Sequence, residues 1–461
     1  MIQLGDIKKI YFIGIGGIGM SALARYFHGR NVEVSGYDKT STVLTKDLEE
    51  SGIAIHYEDN IDLIPLDVQL VVFTPAIPES HKELQYYRQQ GTPMMKRSEV
   101  LGIISNASFN ICVAGTHGKT TISTMIAHIL RHSEYGCNAF LGGISGNYHT
   151  NFWSSERNVS VIEADEYDRS FLRLHPDIAI ISAMDADHLD IYGTEDALQQ
   201  AFIEFSRQVK PDGLLISKFG LRRRRKLIAD KNLTYSLQNE AADIYAANIQ
   251  MDNGSYTFDV MMKENMLNHV VLNMGGMYNI ENAIAAIAVA SQLGIENHKI
   301  KAAIEAFKGV KRRFEYIFKN ESIVYIDDYA HHPEELKALL TGATTLFDGR
   351  KCTIVFQPHL FSRTRDMADE FARSLDLADE VILLPIYPAR EQPIEGVSSR
   401  MILDRMINKN KKLMTKEAVV KYINDKFMPG LNKEFGEVLI TAGAGDIDGL
   451  TEAIKEIIVN G

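Results

Sequence analysis

The chain carries only three cysteines in 461 residues, Cys112, Cys137 and Cys352, widely spaced and odd in number. They make neither a disulfide framework nor a C-x-x-C metal site, and buried, inert thiols are expected. Long apolar runs are missing as well. No stretch approaches the ~20 residues that a membrane-spanning helix requires, which excludes that class. The opening "MIQLGDIKKIYFIGIGG" lacks the basic, apolar and small-residue regions of a signal peptide, so a cytoplasmic location is expected. Positive charge is also in deficit: 49 Lys and Arg face 60 Asp and Glu, a net charge of −11. That balance argues against a general nucleic-acid binder. The single basic run, "RRRRK" at residues 222–226, reads as a solvated surface, with anion binding the lesser alternative.

What is present is an ordinary globular composition, 45% hydrophobic and 24% charged, on a chain long enough for about three domains. Short β-branched runs alternate with longer helical patterns from end to end, the mark of parallel α/β units. "KKIYFIGIGG", "VEVSGYD" and "LVVFTPAI" supply strands of a first unit over residues 1–107. A second, over 108–310, opens on the strand "FNICVA" and a helix with Ile122, Met125, Ile126, Ile129 and Leu130 at i, i+3, i+4, i+7, i+8. A third, over 311–461, restarts with "SIVYIDDYAHHP", "CTIVFQPH", "EVILLPIY" and "EVLITAGAG". The expected fold class is therefore α/β, with three consecutive α/β domains.

Two glycine loops sit between a strand and a helix. Gly14, Gly16 and Gly19 form G-x-G-x-x-G, and Asp38 ends the next strand. Such glycines let backbone amides and a helix N-terminus approach a pyrophosphate, without saying which: NAD, FAD and a nucleotide sugar all carry one. Taken alone, the motif favours a dehydrogenase. The second loop is "AGTHGKTT", residues 114–121, which lacks the first glycine of a full Walker pattern because Val113 stands there. Its Gly115, Thr116, His117, Gly118, Lys119, Thr120 and Thr121 can still form a phosphate cradle, with Lys119 for the β- and γ-phosphates and the Thr120 hydroxyl for Mg²⁺. Two later strands end in acids: Glu163, Asp165, Glu166 and Asp168, then Asp185, Asp187, His188 and Asp190. Both clusters fall where ligands bind open α/β sheets, although His188 is an unfavoured Mg²⁺ ligand and helix caps or solvated turns explain single members equally well.

In order along the chain, "GIGGIGMSALA", "AGTHGKTT", "EADEYDRSF", "DADHLDIYG", "VKRRFE", "DDYAHHPEEL" and "FQPHLFSRTRD" resemble the Mur ligases of peptidoglycan synthesis, over roughly residues 8–366. The resemblance implies an N-terminal Rossmann-like domain for a UDP-sugar, a central P-loop ATPase-like domain for ATP and a C-terminal Rossmann-like domain for an amino acid. It implies ATP-dependent joining of L-alanine to the lactyl carboxylate of UDP-N-acetylmuramate through an acyl phosphate, by a monomer or homodimer. The related attachment of a recycled tripeptide, suggested by "DEYD", is the alternative.

Roles carried over residue by residue place Gly16, Gly17, Ile18, Gly19 and Asp38 at the UDP-sugar, and Thr120, Glu166 and His188 at Mg²⁺. Asn279, Asn282, Arg313 and Asp328 would contact ATP, while His331 and Arg363 would face the amino acid and acyl phosphate. His331 has a second reading, as the cap of the helix beginning near Pro333. Two positions depart from the family pattern: Tyr278 stands where histidine is frequent beside adenine, and Leu360 where arginine is frequent near the substrate anions.

Overall fold

The computed structural model describes residues 4–186, 189–263, 265–389 and 391–460. It contains three sheets. The first is five-stranded and parallel, in the order Ala54–His56, Glu33–Tyr37, Lys9–Ile13, Leu70–Phe73, Met94–Lys96. This is the doubly wound arrangement, in which ligands meet the carboxyl ends of the central strands. After Lys9 at its start, the strand Lys9–Ile13 is apolar or aromatic and buried on both faces, as a central parallel strand must be.

The second sheet is ten-stranded, and the strand Phe109–Ala114 lies between Val159–Glu163 and Ile178–Ile181, all parallel. Its register pairs Val113 with Glu163 and Ala114 with Ile181. The loop after Ala114 and both acid-bearing turns therefore leave the sheet at one edge. Three strands at the other end, Ile244–Asp252, Ser255–Met262 and Asn265–Leu272, were not foreseen by the series of parallel units. Asn253 and Gly254, both at positive φ, make the tight turn between the first two, and "SYTFDVMM" alternates buried and half-buried residues as a one-sided strand should.

The third sheet runs Glu315–Lys319, Ile323–Asp328, Glu437–Ala442, Lys351–Phe356, Glu380–Leu383, Lys411–Leu413, with only its first pair antiparallel. The chain divides into two compact units: residues up to Ala247 with Asp259–Asn268 and Glu281–Ile304, and the remainder. The division passes through the three unforeseen strands.

The helix Lys119–His132 departs from the single apolar stripe its spacing predicts. It is buried on every face from Thr120 to Leu130. The off-stripe positions are small or hydrogen-bonding: Ser123, Thr124, Ala127, and His128, whose Nε2 meets the Ala303 carbonyl at 2.8 Å while Nδ1 meets the Tyr148 hydroxyl at 3.0 Å. The three cysteines are free and buried, as expected. The basic run is a surface turn tied to acids, Arg222 to Glu195 at 2.9 Å and Arg223 to Asp196 at 2.7 Å. Among the described residues, no helix is long and apolar enough to cross a membrane.

In the third sheet, Glu380 is nearly buried and takes hydrogen bonds from Lys351 Nζ at 3.0 Å, the Tyr422 hydroxyl at 2.5 Å and Lys412 Nζ. Burial opposes its ionisation, but the bonds from Lys412, Tyr422 and Lys351 prevail and bring its pKa down to about 2 from 4.5. A depressed carboxylate pKa contributes stability that is full above the unfolded value and lost as pH falls from about 4.5 toward about 2. Glu380→Gln is therefore expected to cost roughly 2–3 kcal/mol at pH 7 and less than half of that at pH 3. Urea unfolding at the two pH values checks this; an equal loss at both contradicts it.

Candidate active site

The strand Phe109–Ala114 carries its pairing through Val113, which is fully buried, and this explains the missing first glycine. Only residues 115–118 are left for the loop before the helix begins at Lys119. Gly115 and Gly118 adopt φ of +134° and +82°, conformations that glycine takes at little cost. A Cβ at Gly115 would clash with Ser182 Oγ and stand 2.7 Å from Ala183 N; one at Gly118 would stand 2.8 Å from Asn282 Oδ1. Gly115→Ala is expected to lose more than about 2 kcal/mol of stability, since strain and overpacking coincide. Thermal unfolding checks it, and an unchanged midpoint contradicts it.

The first N–H groups of Lys119–His132 have no side-chain cap and so are available to an anion. Lys119 Nζ donates to the Gly115 carbonyl and to Glu166 Oε1, both at 2.8 Å, with Glu166 fully buried and Lys119 14% exposed. Burial raises the Glu166 carboxyl above the ordinary carboxylate range, against the lowering effect of the Lys119 charge. The Thr120 hydroxyl donates to Glu163 Oε1 at 2.9 Å, and Gly142 N donates to Glu163 Oε2 at 2.8 Å. Glu163 was one acid among several in the sequence, and only the register of its strand against Val113 reveals it as the partner of Thr120. Thr116 Oγ1 accepts Asp185 N at 3.2 Å, and the exposed His117 lies 3.7 Å from Asp185. Thr121 is buried within the helix. His188 and Asp187 lie outside the described residues. Thr120, Glu163 and Glu166 are hard oxygen donors gathered beside a helix N-terminus, which suits Mg²⁺.

The first glycine loop belongs to the same unit. Gly14 N and Ile15 N donate to the Tyr37 carbonyl at 2.8 and 3.0 Å, and Gly16 N donates to Asp38 Oδ2 at 2.8 Å. Asp38 thus braces the loop from the end of its strand. Gly17 precedes the helix Ile18–His28 without a side-chain cap, again leaving amides free for an anion. The Ile18 carbonyl accepts Asn151 Nδ2 at 2.5 Å. Gly19 faces Arg97, whose Cδ would stand 3.1 Å from an added Cβ. Arg97 also lies 3.8 Å from Asp165, and the two line a small pocket with Ser98 and Glu163. Nothing in the sequence marked Arg97, because its neighbourhood exists only once the helix Arg97–Asn106 is docked.

The second compact unit collects the remaining residues. Asp328 ends its strand and accepts Phe314 N at 2.6 Å and Ala330 N at 2.7 Å; burial outweighs those bonds and pushes its pKa up to about 6. Arg313 and Tyr278 lie within its electrostatic reach. Tyr278 is 46% exposed, its ring over Gly276, while Asn279 is buried and donates to the Gly275 carbonyl at 2.6 Å.

The capping role allowed for His331 belongs to its neighbour: His332 caps the helix Pro333–Leu346 and accepts Glu334 N at 3.4 Å. His331 instead packs edge-on against Tyr329 and His359, at 5.3 and 5.9 Å between ring centres, and burial lowers its pKa. Arg363 Nη1 donates to the His331 carbonyl at 3.4 Å. His359 stood unassigned within "FQPHLF", yet its ring joins this group and stacks on Tyr387. Leu360, the departure from the family arginine, has φ +72° and precedes the helix Phe361–Asp366.

Family models match nearly the whole chain: "Mur ligase family, catalytic domain" over residues 9–109, "Mur ligase middle domain" over 113–290 and "Mur ligase, glutamate ligase domain" over 312–445. The chain is 47% identical to a UDP-N-acetylmuramate–L-alanine ligase of Flavobacterium johnsoniae, over 99% of both sequences. A solved UDP-N-acetylmuramate–alanine ligase from Thermotoga maritima superposes with a TM-score of 0.82 at 29% identity, covering 98% of this chain and 99% of that one. A murein peptide ligase from Psychrobacter arcticus, at 24% identity and TM-score 0.67 over 98% and 99% of the two chains, shares the fold. Two glycine loops, the Lys119–Glu166 pair and three matched domains in sequence lead to one conclusion: this chain belongs to the Mur ligase family.

Proposed function

We propose that the chain is an ATP-dependent ligase that joins L-alanine to the lactyl carboxylate of UDP-N-acetylmuramate in cytoplasmic peptidoglycan precursor synthesis, releasing ADP and phosphate. The observation that carries this reading is the full-length 47% identity to the F. johnsoniae alanine ligase. The murein peptide ligase likeness stands at 24% identity and speaks for the fold alone, so the tripeptide alternative is not favoured.

A carboxylate is a poor electrophile. Its oxygen attacks the γ-phosphorus of ATP, ADP leaves, and the resulting acyl phosphate is attacked by the amine of alanine. The tetrahedral adduct then expels phosphate and a proton is lost from nitrogen. Each stage crowds anionic oxygens, and positively charged groups fixed in advance stabilise that charge. In this reading Gly115, Thr116, His117, Gly118 and Thr121 shape the triphosphate cradle, and Lys119 moves its contact from Glu166 to the transferring phosphoryl group. Thr120 and Glu166 would hold one Mg²⁺ and His188 a second; bound Mg²⁺ neutralises phosphate charge.

Residues Gly16, Gly17, Ile18 and Gly19, with Asp38 bracing them, receive the uridine diphosphate, and Arg97 faces its anionic side. Tyr278 offers a ring face to adenine beside Asn279 and Asn282. Arg313 and Asp328 take the nucleotide's phosphate and ribose sides. His331 and Arg363 address the amino acid and the acyl phosphate. The functional boundaries fall near residues 107 and 310.

The test is isotopic. With both lactyl carboxylate oxygens labelled as ¹⁸O, one label must appear in the released phosphate and one must stay in the amide product. Unlabelled phosphate contradicts the acyl-phosphate route.

A further inference from the structure

A second group of metal-ligand types lies in the first sheet's domain, apart from the acids around Lys119. Asp59, His81 and Glu83 each present one donor atom within 4.8 Å of the others. Asp59 follows the strand Ala54–His56, while His81 precedes and Glu83 begins the helix Lys82–Gln89. Two members have ordinary structural employment. Asp59 accepts Lys82 N at 3.1 Å and Glu83 N at 3.3 Å, capping that helix. Glu83, fully buried, accepts the Tyr11 hydroxyl at 2.7 Å and Asn60 N at 3.2 Å.

Neither role accounts for His81. Its residue is 5% exposed, yet both ring nitrogens are buried without a hydrogen-bond partner. Buried polar atoms are almost always satisfied, so two on one ring point to a missing partner. Nδ1 lies 3.3 Å from Asp59 Oδ1, in a geometry that makes no hydrogen bond. That spacing is what adjacent ligands of a tetrahedral ion adopt: bonds of about 2.0–2.1 Å put donors roughly 3.3 Å apart. His56 is not part of the group: its Nε2, 3.7 Å from Glu83 Oε1, is bonded to the Tyr11 hydroxyl at 2.7 Å.

We propose that Asp59, His81 and Glu83 form a binding site for a divalent transition-metal ion, with Zn²⁺ its best-suited occupant. Imidazole with carboxylates, few in number and enclosed, matches Zn²⁺ in ligand type and count, whereas Mg²⁺ favours six oxygens and retained water. The site clips the turn after one strand to the start of the helix Lys82–Gln89. It also braces the first glycine loop. The His81 ring packs on Tyr37 at 4.6 Å, the Tyr37 carbonyl holds Gly14 and Ile15, and Asp38 N donates to the His56 carbonyl at 3.1 Å.

The test uses the full chain, stripped with chelator and titrated with Zn²⁺ by calorimetry in excess Mg²⁺, then with Co²⁺ by visible absorption. One tight equivalent of Zn²⁺ is expected, with the ligand-field bands of a low-coordinate Co²⁺ complex and a thermal midpoint that rises with Zn²⁺. His81→Ala and Asp59→Asn should each weaken that equivalent by more than about 100-fold, since losing even an outer-shell partner costs roughly 10–100-fold. Asp59→Asn keeps a side-chain oxygen for the helix cap, so it decides the matter if His81→Ala does not fold. Wild-type protein that takes up no tight equivalent, or variants whose titrations overlay the wild type, overturn the proposal.

Discussion

Turnover of a Lys119→Ala variant is expected to fall by on the order of 10²–10³. Lys119 is held before any ligand arrives, its Nζ fixed at 2.8 Å from both the Gly115 carbonyl and Glu166. Its charge therefore starts beside the loop, and once nucleotide binding has drawn it from Glu166 onto the phosphoryl group it stabilises the charge that develops there, which is why its loss falls on kcat. The substitution also removes the positive charge paired with a buried carboxylate, so the thermal midpoint should drop as well. Steady-state kinetics beside thermal unfolding separates the two effects. Near-normal kcat in a folded Lys119→Ala protein would refute the role.

Glu166→Gln is the second large loss, a kcat reduction on the order of 10² with a raised Mg²⁺ requirement, as expected when a Lewis-acid site worth several kcal/mol loses an anionic ligand. The geometry adds a sharper expectation. Lys119 and Glu166 share one contact, so their losses should combine less than additively in the double variant. Glu163→Gln, which keeps an acceptor for the Thr120 hydroxyl, should fall less. Titrating rate against Mg²⁺ for the three variants checks this. A Glu166→Gln enzyme with wild-type Mg²⁺ dependence, or strictly additive losses, contradicts the assignment.

The parallel sheets and both glycine loops were legible because strand periodicity, glycine spacing and the loop-to-helix transition are all local. Even the departure at Val113 resolves locally, as one more buried strand residue before a shorter loop. The strands over residues 244–272 are also written locally, in the Asn253-Gly254 turn and the alternation beside it, which break the otherwise uniform parallel series. What sequence could not supply was pairing at a distance. Glu163 meets Thr120 across 43 residues, Arg97 meets Gly19 across 78, and the exchange of roles between His331 and His332 depends on where one helix begins. The all-round burial of Lys119–His132 was hidden for the same reason: Ser123, Thr124 and His128 look solvent-facing until their neighbours are in place.

The central claim is that the activated carboxylate is delivered to a single amino acid. Phosphate release with ATP, Mg²⁺ and UDP-N-acetylmuramate, measured with L-alanine and in parallel with the tripeptide L-alanyl-γ-D-glutamyl-meso-diaminopimelate, tests it most directly. Release that depends on L-alanine is expected, matched by an amide product of the corresponding mass, and none above background with the tripeptide. Release that depends on the tripeptide alone would contradict it.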